Sequence, residues 1–466
     1  MIVCGPGRPW AVIGVPLLLV LAGCGEGESG SEGDPTAPAA AAPRAELNED
    51  APNIVVIMID TLRSDHLPAY GYPRRVAPFL AGLSRRSVVF KNAFSTSSWT
   101  GPSTASLFTG LYPVRHGLTR GFFAQKDAES KIETEEAALE LTPLPEALAT
   151  LPILMKDLGY STYGLAANIN IGPELGFQRG FDRFHRDRQE SADQMAMELR
   201  RWRNEISRSS PTFLYIHFND VHKPYTPRAP LYKKQEGKLQ DDIARYDSEI
   251  RWVDRTLKEL YDQFGWGENT ILWIVSDHGE EFMDHGTLGH GFSLFDELMR
   301  VVGILHAPGI EPGSVDVNVS LIDVLPTLMD WLDVPLPDER DGRSLLPLLR
   351  GERTGQAERE FGERILFGHR RNRVATEVLW AALFGSWKLI EDTSTGERML
   401  FDLQEDPGET DNKIEEHAEL AQVLQASLDR LKQSQSLGSG PVEVPMDEAL
   451  LEHLRSLGYT EKKEER

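Results

Sequence analysis

Three hydrophobic runs of this sequence each end in side chains that could bind a metal ion. Runs of β-branched and aromatic residues are typical of strands that are buried on both faces of a parallel sheet. Ligands of open α/β sheets bind beyond the carboxyl ends of such strands, so we expect an active site where these runs end. The runs and the residues after them are Ile54–Ile59 with Asp60, Pro211–Phe218 with Asn219, Asp220 and His222, and Thr270–Val275 with Ser276, Asp277 and His278.

A hydroxyl side chain lies where a helix is predicted to begin. Thr100 belongs to the segment Ser98–Gly110, in which a polar loop opens a predicted helix. The first turn of a helix presents free N–H groups, and a hydroxyl there would be stabilised as an alkoxide by the helix dipole and a nearby metal ion. Thr100 could instead cap that helix, and Asp60 could cap the helix after its strand. The Asp277–His278 pair at a second strand end favours metal binding by Asp60.

Strands and helices alternate around these residues, which predicts an α/β fold with a mostly parallel sheet. Helices are predicted at Leu144–Leu158 and at Asp241–Phe264, the latter from apolar residues at helical spacing. From about residue 362 the pattern changes to short strands, Ile365–Phe367 and Trp387–Ile390, before a last helix at Glu415–Gln433. We interpret this part as a small α+β C-terminal subdomain.

The net charge of the chain limits the classes of molecule that it can bind. The chain has 466 residues and a formal net charge of -23, which would repel nucleic acid, so no nucleic-acid partner is expected. An anionic substrate would therefore need a local positive site, most simply a metal ion. Both cysteines, Cys4 and Cys24, lie in the N-terminal segment, so the globular part has no thiol to serve as nucleophile or metal ligand.

The N-terminus predicts export and lipid anchoring. Residues 1–23 are predicted to be a lipoprotein signal peptide, because the apolar run Trp10–Ala22 leads to Leu-Ala-Gly before Cys24. Lipid on Cys24 would hold the protein on a membrane, at the periplasmic face, in the outer membrane or at the cell surface. An ordinary cleaved signal peptide is the alternative. We further predict a flexible tether at 24–50, a catalytic domain at 51–350 and the C-terminal subdomain at 351–466; the oligomeric state is not predicted.

Four motifs, in this order, resemble the sulfatase family within the alkaline phosphatase superfamily. The resemblance spans about residues 53 to 412, and it implies an alkaline-phosphatase-like fold, in which a mostly parallel sheet is flanked by helices. The motifs are Ile59–Asp65, Thr100–Pro113 with Pro102-Ser103 near its start and Thr109-Gly110-Leu111-Tyr112-Pro113 at its end, Ser276–Glu280 and Leu400–Asn412.

The sequence departs from the sulfatase pattern at three places. Sulfatases use a cysteine or serine that is oxidised to formylglycine, with an arginine four residues on, where this sequence has Thr100 and Thr104. The Gly-Lys-x-His pair that binds sulfate in the family is missing, and Ala166–Ile169 is found instead. The usual Asp-Asp is Asp60-Thr61. We therefore expect no formylglycine.

The remaining set is similar to phosphoglycerol and phosphoethanolamine transferases and to some phosphodiesterases, which use an unmodified threonine beside one divalent ion. This similarity implies that Thr100 is the nucleophile. It also implies that Asp60, Thr100, Asp277 and His278 are the metal ligands. Three oxygens and one imidazole favour Mn²⁺ or Zn²⁺ as the single divalent ion, with Ca²⁺ as an alternative.

Two further histidines are candidates for binding the anion or protonating the leaving oxygen. His222 lies in a His-Lys-Pro-Tyr segment that is similar to the His-x-Pro-Tyr segment of sulfatases. His290 falls near the position of a sulfatase lysine. A second metal site, made from some of Asp220, His222, His285 and His290, is an alternative.

Several other residues have more than one interpretation. His116 is interpreted as structural support for the nucleophile loop, and Arg63 and Asp65 as a local structural pair. Asn168 could contact substrate or be a turn residue. The acidic stretch Asp127–Glu140 is predicted to be a solvated insertion near the pocket mouth.

The favoured function is metal-dependent hydrolysis of an anionic ester through Thr100. A phosphate ester is expected, with a phosphodiester favoured, or a sulfate ester. The alternatives are a transferase that passes a phospho-substituent to an envelope glycan or lipid, a sulfuric ester hydrolase without formylglycine, and a surface-anchored binding protein that kept the fold. Such transferases usually carry several membrane spans. This chain is predicted to have only a lipid anchor, which favours the hydrolase.

Overall fold

The structure is a computed structural model that describes residues 51–121, 138–187, 190–206, 211–351, 355–371, 378–438 and 442–445. The predicted signal peptide with Cys24, the predicted tether and most of the acidic stretch Asp127–Glu140 lie outside the described residues. Within the described ranges, no helix combines the length and the apolar character that crossing a bilayer requires.

Strands make up most of the centre of the structure, and the three predicted runs are all strands. In chain order the described strands are β1 (Asn53–Ile59), β2 (Val88–Phe90), β3 (Ala93–Phe94), β4 (Ala138–Leu141), β5 (Ser161–Ala166), β6 (Arg183–Arg186), β7 (Thr212–Phe218), β8 (Thr270–Val275), β9 (Glu281–Phe282), β10 (Leu288–Gly289), β11 (Arg300–Val301), β12 (Gly303–His306), β13 (Gly313–Val315), β14 (Val319–Ser320), β15 (Leu366–Arg371), β16 (Val378–Phe384), β17 (Trp387–Asp392), β18 (Arg398–Asp402) and β19 (Val442–Pro445).

Helices connect and cover these strands. In chain order the described α-helices are α1 (Pro78–Ser84), α2 (Thr100–Thr109), α3 (Pro113–His116), α4 (Leu151–Asp157), α5 (Ala192–Arg201), α6 (Arg203–Ile206), α7 (Lys238–Phe264), α8 (Asp296–Met299), α9 (Val324–Trp331), α10 (Leu346–Leu349), α11 (Gln356–Gly362) and α12 (Ala418–Lys432). Short 3-10 helices lie at Ser64–His66, Pro68–Tyr70, Pro173–Leu175 and Leu321–Asp323.

The helix predicted over Leu144–Leu158 is shorter than expected. It begins only at Leu151, with Pro152 in its first turn. Proline is tolerated there because the N–H it lacks would have no partner within the helix. Before that point the chain makes a turn, in which the N–H of Leu148 donates to the carbonyl of Pro145 at 3.1 Å. The prediction for the long helix was closer, since α7 extends the predicted range by three residues to Lys238.

The central sheet confirms the prediction of a mostly parallel α/β arrangement. Its strand order is β13-β2-β12-β8-β1-β7-β5-β6. Strand β12 runs antiparallel to both of its neighbours, and the other pairs in this sheet are parallel. Strand β1 lies in the middle between β8 and β7, so these three strands end side by side at the same edge.

Both faces of the sheet are covered at its centre, which explains why β1 and β8 are largely apolar along their length. Alternate side chains of β1 point to opposite faces. Ile54, Val56 and Met58 belong to one buried cluster. Val55 and Ile57 belong to a second cluster on the other face.

The C-terminal part forms the small α+β subdomain that the sequence predicted. Strands β15 to β18 make a four-stranded antiparallel sheet. Helix α12 packs Leu424 and Leu428 against Trp380 and Leu389 of that sheet. The backbone N–H of His369 in β15 donates to the carbonyl of Thr96 at 2.9 Å, so this sheet is hydrogen-bonded to the loop that precedes α2.

Candidate active site

Three of the predicted metal ligands meet beyond the ends of β1 and β8. The register of these parallel strands pairs Met58 with Val275, which places Asp60 beside Asp277, two residues further on. One ligand atom each from Asp60, Asp277 and His278 lies within 4.8 Å of the others, and all three residues are buried. The sheet itself therefore assembles this cluster.

The buried carboxylates of the cluster are hydrogen-bonded at one oxygen each, and the other oxygen of each is left over. Among the residues that the structure describes, Asp60 Oδ1 and Asp277 Oδ2 are buried and have no hydrogen-bond partner. Burial, and then the charge of Asp60, raise the pKa of Asp277. Burial also raises the pKa of Asp60, but the hydrogen bond from His217 and the charges of nearby histidines outweigh it and hold that pKa below its usual value. Two unpaired carboxylate oxygens at such a site fit a bound cation.

The imidazole of His278 is oriented toward the carboxylates of Asp60 and Asp277. Its Nδ1 donates to the carbonyl of Gly279 at 2.8 Å, which leaves Nε2 as the acceptor. Nε2 lies 3.6 Å from Asp60 Oδ1 and 3.4 Å from Asp277 Oδ2. Two carboxylate oxygens and one imidazole nitrogen make a donor set that fits a divalent metal ion.

The backbone at Thr61 is strained, and this conformation lets its N–H bind Asp277. Thr61 has a φ of 55°, in the left-handed region that β-branched residues avoid. In this conformation its N–H donates to Asp277 Oδ1 at 3.2 Å, and Tyr246 donates its hydroxyl to the carbonyl of Thr61 at 2.7 Å. Asp277 Oδ1 thus accepts from the backbone, and Oδ2 remains for a cation.

Thr100 begins α2 next to these ligands, as the sequence predicted. Its hydroxyl lies 3.4 Å from Asp60 Oδ2 and 3.4 Å from His278 Nε2. The hydroxyl of Ser103, one turn along the helix, donates to the carbonyl of Asp277 at 2.5 Å. This bond fixes the start of α2 to the loop that carries two of the ligands.

Asn168 lies beside Asp60 and Thr100 in the site. Its Nδ2 donates to Asp60 Oδ2 at 2.5 Å and to Asn219 Oδ1 at 3.0 Å, and it lies 3.3 Å from Thr100 Oγ1. The N–H of Asn170 donates to Asn168 Oδ1, which fixes the orientation of the amide. The signal in the sequence was its place just after β5, another parallel strand of the same sheet.

His217 was missed by the sequence analysis because it lies inside a predicted strand. It is fully buried, and its Nε2 donates to Asp60 Oδ2 at 3.2 Å. Tyr215 lies behind it, with 2.8 Å between the tyrosine hydroxyl and His217 Nδ1. A histidine in an otherwise apolar run was the available signal, since a buried imidazole needs a polar partner.

His222 and His290 form one wall of the site. The ring of His290 lies 4.6 Å from that of His278 and 4.8 Å from that of His222, measured between centroids. His290 Nδ1 donates to the buried Glu280 at 3.0 Å, and His222 Nδ1 donates to its neighbouring carbonyl at Lys223 at 2.5 Å. The Nε2 atom of each ring is therefore the one left for a substrate.

Of the four candidates for a second metal site, His222 and His290 lie together, whereas Asp220 and His285 each have other partners. Asp220 is paired with Arg228 at 2.7 Å and accepts the N–H of Ala192 at 2.8 Å. His285 Nδ1 lies 2.8 Å from Glu297 Oε1. In the described part of the chain, the cluster of Asp60 with the Asp277–His278 pair is the one group of three or more such ligands.

His116 lies behind α2, in the supporting position that the sequence analysis assigned to it. Its Nε2 lies 3.1 Å from the hydroxyl of Ser106 in α2, and its Nδ1 accepts the N–H of Leu118 at 3.1 Å. Burial lowers the pKa of His116 to about 3, so the imidazole is neutral at ordinary pH. Arg63 and Asp65 form the expected ion pair at 2.8 Å, and Arg63 also binds Asp284.

Comparison with known proteins assigns this chain to one family. The sulfatase family model matches residues 52–334, and a model of the C-terminal region of N-sulphoglucosamine sulphohydrolase matches residues 284–436. The chain belongs to the sulfatase family. This places it in the alkaline phosphatase superfamily, as the four motifs implied.

Individual sulfatases and solved structures are distant from this chain. An arylsulfatase of Hemicentrotus pulcherrimus is 24% identical over 359 residues, which cover 64% of this chain and 62% of that protein. A choline-sulfatase of Rhizobium meliloti (strain 1021) is 25% identical over 445 residues, which cover 78% and 82%. The crystal structure of the phosphonate monoester hydrolase of Agrobacterium radiobacter has the same fold, with a TM-score of 0.63, 20% identity and coverage of 84% and 99%.

Proposed function

We propose that this sulfatase-family chain is a metal-dependent hydrolase that cleaves a monoanionic ester, preferably a phosphodiester, with Thr100 as the nucleophile. The observation that carries this proposal is the hydroxyl of Thr100, which lies 3.4 Å from Asp60 Oδ2 in a buried cluster with unsatisfied carboxylate oxygens. No formylglycine is needed, because a threonine hydroxyl can attack directly when its proton is removed.

The charge of the site favours a monoanion over a dianion. One divalent ion would balance the carboxylates of Asp60 and Asp277, leaving little excess positive charge. Among the described residues, the groups that contact the Thr100 hydroxyl are Asp60, His278 and the neutral amide of Asn168. A phosphodiester and a sulfate ester each carry one negative charge, as does the phosphonate monoester that names one relative of this fold. A phosphomonoester dianion would lack a second counter-charge.

Each side chain of the site has its own role in the proposed reaction. Asp60 and His278 orient the Thr100 hydroxyl. Its proton passes to Asp60 Oδ2, 3.4 Å away, as its oxygen bonds to phosphorus or sulfur and the bond to the leaving oxygen breaks. The amide of Asn168 donates to the developing negative charge. The leaving oxygen takes a proton from His222 or His290, and water later cleaves the ester on Thr100. A divalent ion held by Asp60, Thr100, Asp277 and His278 would lower the pKa of the hydroxyl and neutralise charge on the non-bridging oxygens.

Three esters of 4-nitrophenol test the proposal on the metal-loaded, full-length chain. These are methyl 4-nitrophenyl phosphate, 4-nitrophenyl sulfate and 4-nitrophenyl phosphate. We expect kcat/KM at pH 8 to be highest for the diester and about tenfold or more lower for the dianionic monoester, as expected for one unbalanced charge in a partly buried site.

The monoester also provides an internal control, because its second pKa lies near 6. The kcat/KM of the monoester, relative to that of the diester at the same pH, should rise when the pH falls below that value and the monoester becomes a monoanion. Fastest turnover of the dianion at pH 8 would contradict the charge argument. Turnover of the sulfate alone would replace the phosphodiester with a sulfate ester as substrate.

Substitution of Asn168 tests its place beside the nucleophile. Asn168→Ala removes the amide donor at Thr100 Oγ1 and Asp60 Oδ2, and we expect kcat to fall about 100-fold with a small change in KM. Asn92→Ala is the matched control, since that amide donates to the backbone carbonyl of Asp316. Bound metal should be the same in both variants. Equal activities of the two would show that Asn168 is only a turn residue.

A further inference from the structure

Strand β7 places two polar side chains on one buried face of the central sheet. Tyr215 and His217 are two residues apart in this strand, so they point to the same side, and both are fully buried. The ring of Phe108 in α2 packs edge-on against Tyr215, with 4.8 Å between ring centroids. Polar groups on such a face need partners inside the protein. The pair therefore faces the helix that begins with Thr100.

The chemistry of the partners gives each hydrogen bond of this pair a direction. A carboxylate can only accept, so His217 Nε2 donates to Asp60 Oδ2, 3.2 Å away. Burial raises the pKa of Tyr215 well above its usual value, so its hydroxyl keeps its proton and donates to His217 Nδ1 at 2.8 Å. Tyr215 thus supports the form of the imidazole that carries its proton on Nε2 and points it at Asp60.

The two oxygens of Asp60 have different surroundings. Oδ2 accepts from Asn168 Nδ2 at 2.5 Å as well as from His217, and it faces the hydroxyl of Thr100 at 3.4 Å. Oδ1 is buried, has no hydrogen-bond partner among the described residues, and lies 3.6 Å from His278 Nε2. The two N–H donors therefore hold the plane of the carboxylate so that Oδ1 is the oxygen left for a cation.

We propose that His217, held by Tyr215, is a positioning residue that directs one oxygen of Asp60 to the metal ion and so favours Zn²⁺ over Ca²⁺. Zn²⁺ usually binds about four ligands in protein sites, whereas Ca²⁺ takes about six to eight oxygens and often uses both oxygens of one carboxylate. A carboxylate whose second oxygen is held by N–H donors suits the first ion better than the second. The inference rests on the metal site of the proposed function and is independent of which ester is cleaved.

Metal affinities of the metal-stripped, full-length chain test this role. His217→Phe keeps a ring of similar size and removes the N–H that holds Asp60 Oδ2. We expect its dissociation constant for Zn²⁺ to rise about 10- to 100-fold, as is usual when a group that orients a metal ligand is lost. Its dissociation constant for Ca²⁺ should change less than about threefold, because Ca²⁺ can use the oxygen that the substitution releases. Competition with a chromophoric chelator measures both constants.

Two milder variants keep the test informative if His217→Phe does not fold. His217→Gln offers an amide N–H near the position of Nε2 and should bind Zn²⁺ within about fivefold of wild type. Tyr215→Phe removes the donor to His217 Nδ1 and should weaken Zn²⁺ binding about threefold to tenfold. His306→Phe is the matched control in strand β12 of the same sheet. This histidine donates from Nδ1 to the carbonyl of Arg86, so its loss should leave both metal affinities unchanged.

These measurements separate the inference from the proposed function. Unchanged Zn²⁺ binding by His217→Phe, or by Tyr215→Phe where the former does not fold, would overturn the inference and leave the proposed function in place. So would a loss of Zn²⁺ and Ca²⁺ affinity by the same factor, since His217 would then only support the fold. A wild-type chain that binds neither ion would also overturn it. If the wild type cleaves none of the esters but His217→Phe selectively loses Zn²⁺, the proposed function fails and the inference stands.

Discussion

Replacing Thr100 with alanine is expected to lower kcat by a factor of at least about 10³. The variant keeps Asp60, Asp277 and His278, so most of the proposed metal-binding set remains. It loses the one hydroxyl that the start of α2 places 3.4 Å from Asp60 Oδ2. The measurement is kcat on the preferred 4-nitrophenyl ester, with bound metal quantified in the same preparation.

Two further variants and a trapping experiment make this result specific. Thr100→Ser restores a hydroxyl and should recover activity to within about 100-fold of wild type, whereas the isosteric Thr100→Val should not recover it. Acid quenching during turnover, followed by peptide mass spectrometry, should find the phosphoryl or sulfuryl group on the peptide containing Thr100. Retention of more than a tenth of wild-type kcat in Thr100→Ala would assign the attacking group to another residue or to water.

The candidate metal site could be predicted from sequence because it depends on one local rule. Strands β1 and β8 are largely apolar, so the first acidic residue after each marks the edge of the sheet. Asp60 after β1 and Asp277 after β8 satisfy that rule, and the register of the two strands brings them together. The position of Thr100, the proposed nucleophile, was predictable for a similar reason, since Thr100 is the first residue of α2.

The remaining contacts depend on tertiary packing that no local pattern encodes. His217 lies inside β7, where its sequence neighbours predict only a buried strand, and its role becomes visible when Asp60 is placed beside it. Asp220 follows the same strand and looks equally suited to bind metal, but Arg228 neutralises it. Residues Leu144–Thr150 have an apolar pattern like that of a helix, yet Pro152 marks the first turn of α4.

Asp277→Asn should abolish metal binding and activity and at the same time stabilise the metal-free protein. The asparagine keeps Oδ1 as acceptor for the N–H groups of Thr61 and His278, at 3.2 and 2.9 Å in the native structure. It replaces the unpartnered Oδ2 with an amide that can donate toward Asp60. The repulsion between two buried carboxylates is removed, and we expect the thermal midpoint of the metal-free variant to lie roughly 2–5 °C above that of the metal-free wild type.

Metal addition then distinguishes the two proteins. In the native site the two carboxylates destabilise the metal-free protein, but they bind the metal ion when it is present. Mn²⁺ or Zn²⁺ should raise the thermal midpoint of the wild type and leave that of Asp277→Asn unchanged, since ligands stabilise only the state that binds them. Asp254→Asn is the matched control: that buried carboxylate accepts the N–H groups of Phe79 and Leu80, so its loss should lower the midpoint without altering the response to metal. An Asp277→Asn variant that is less stable than the metal-free wild type, or that responds equally to metal, would show that these carboxylates serve the fold rather than a cation.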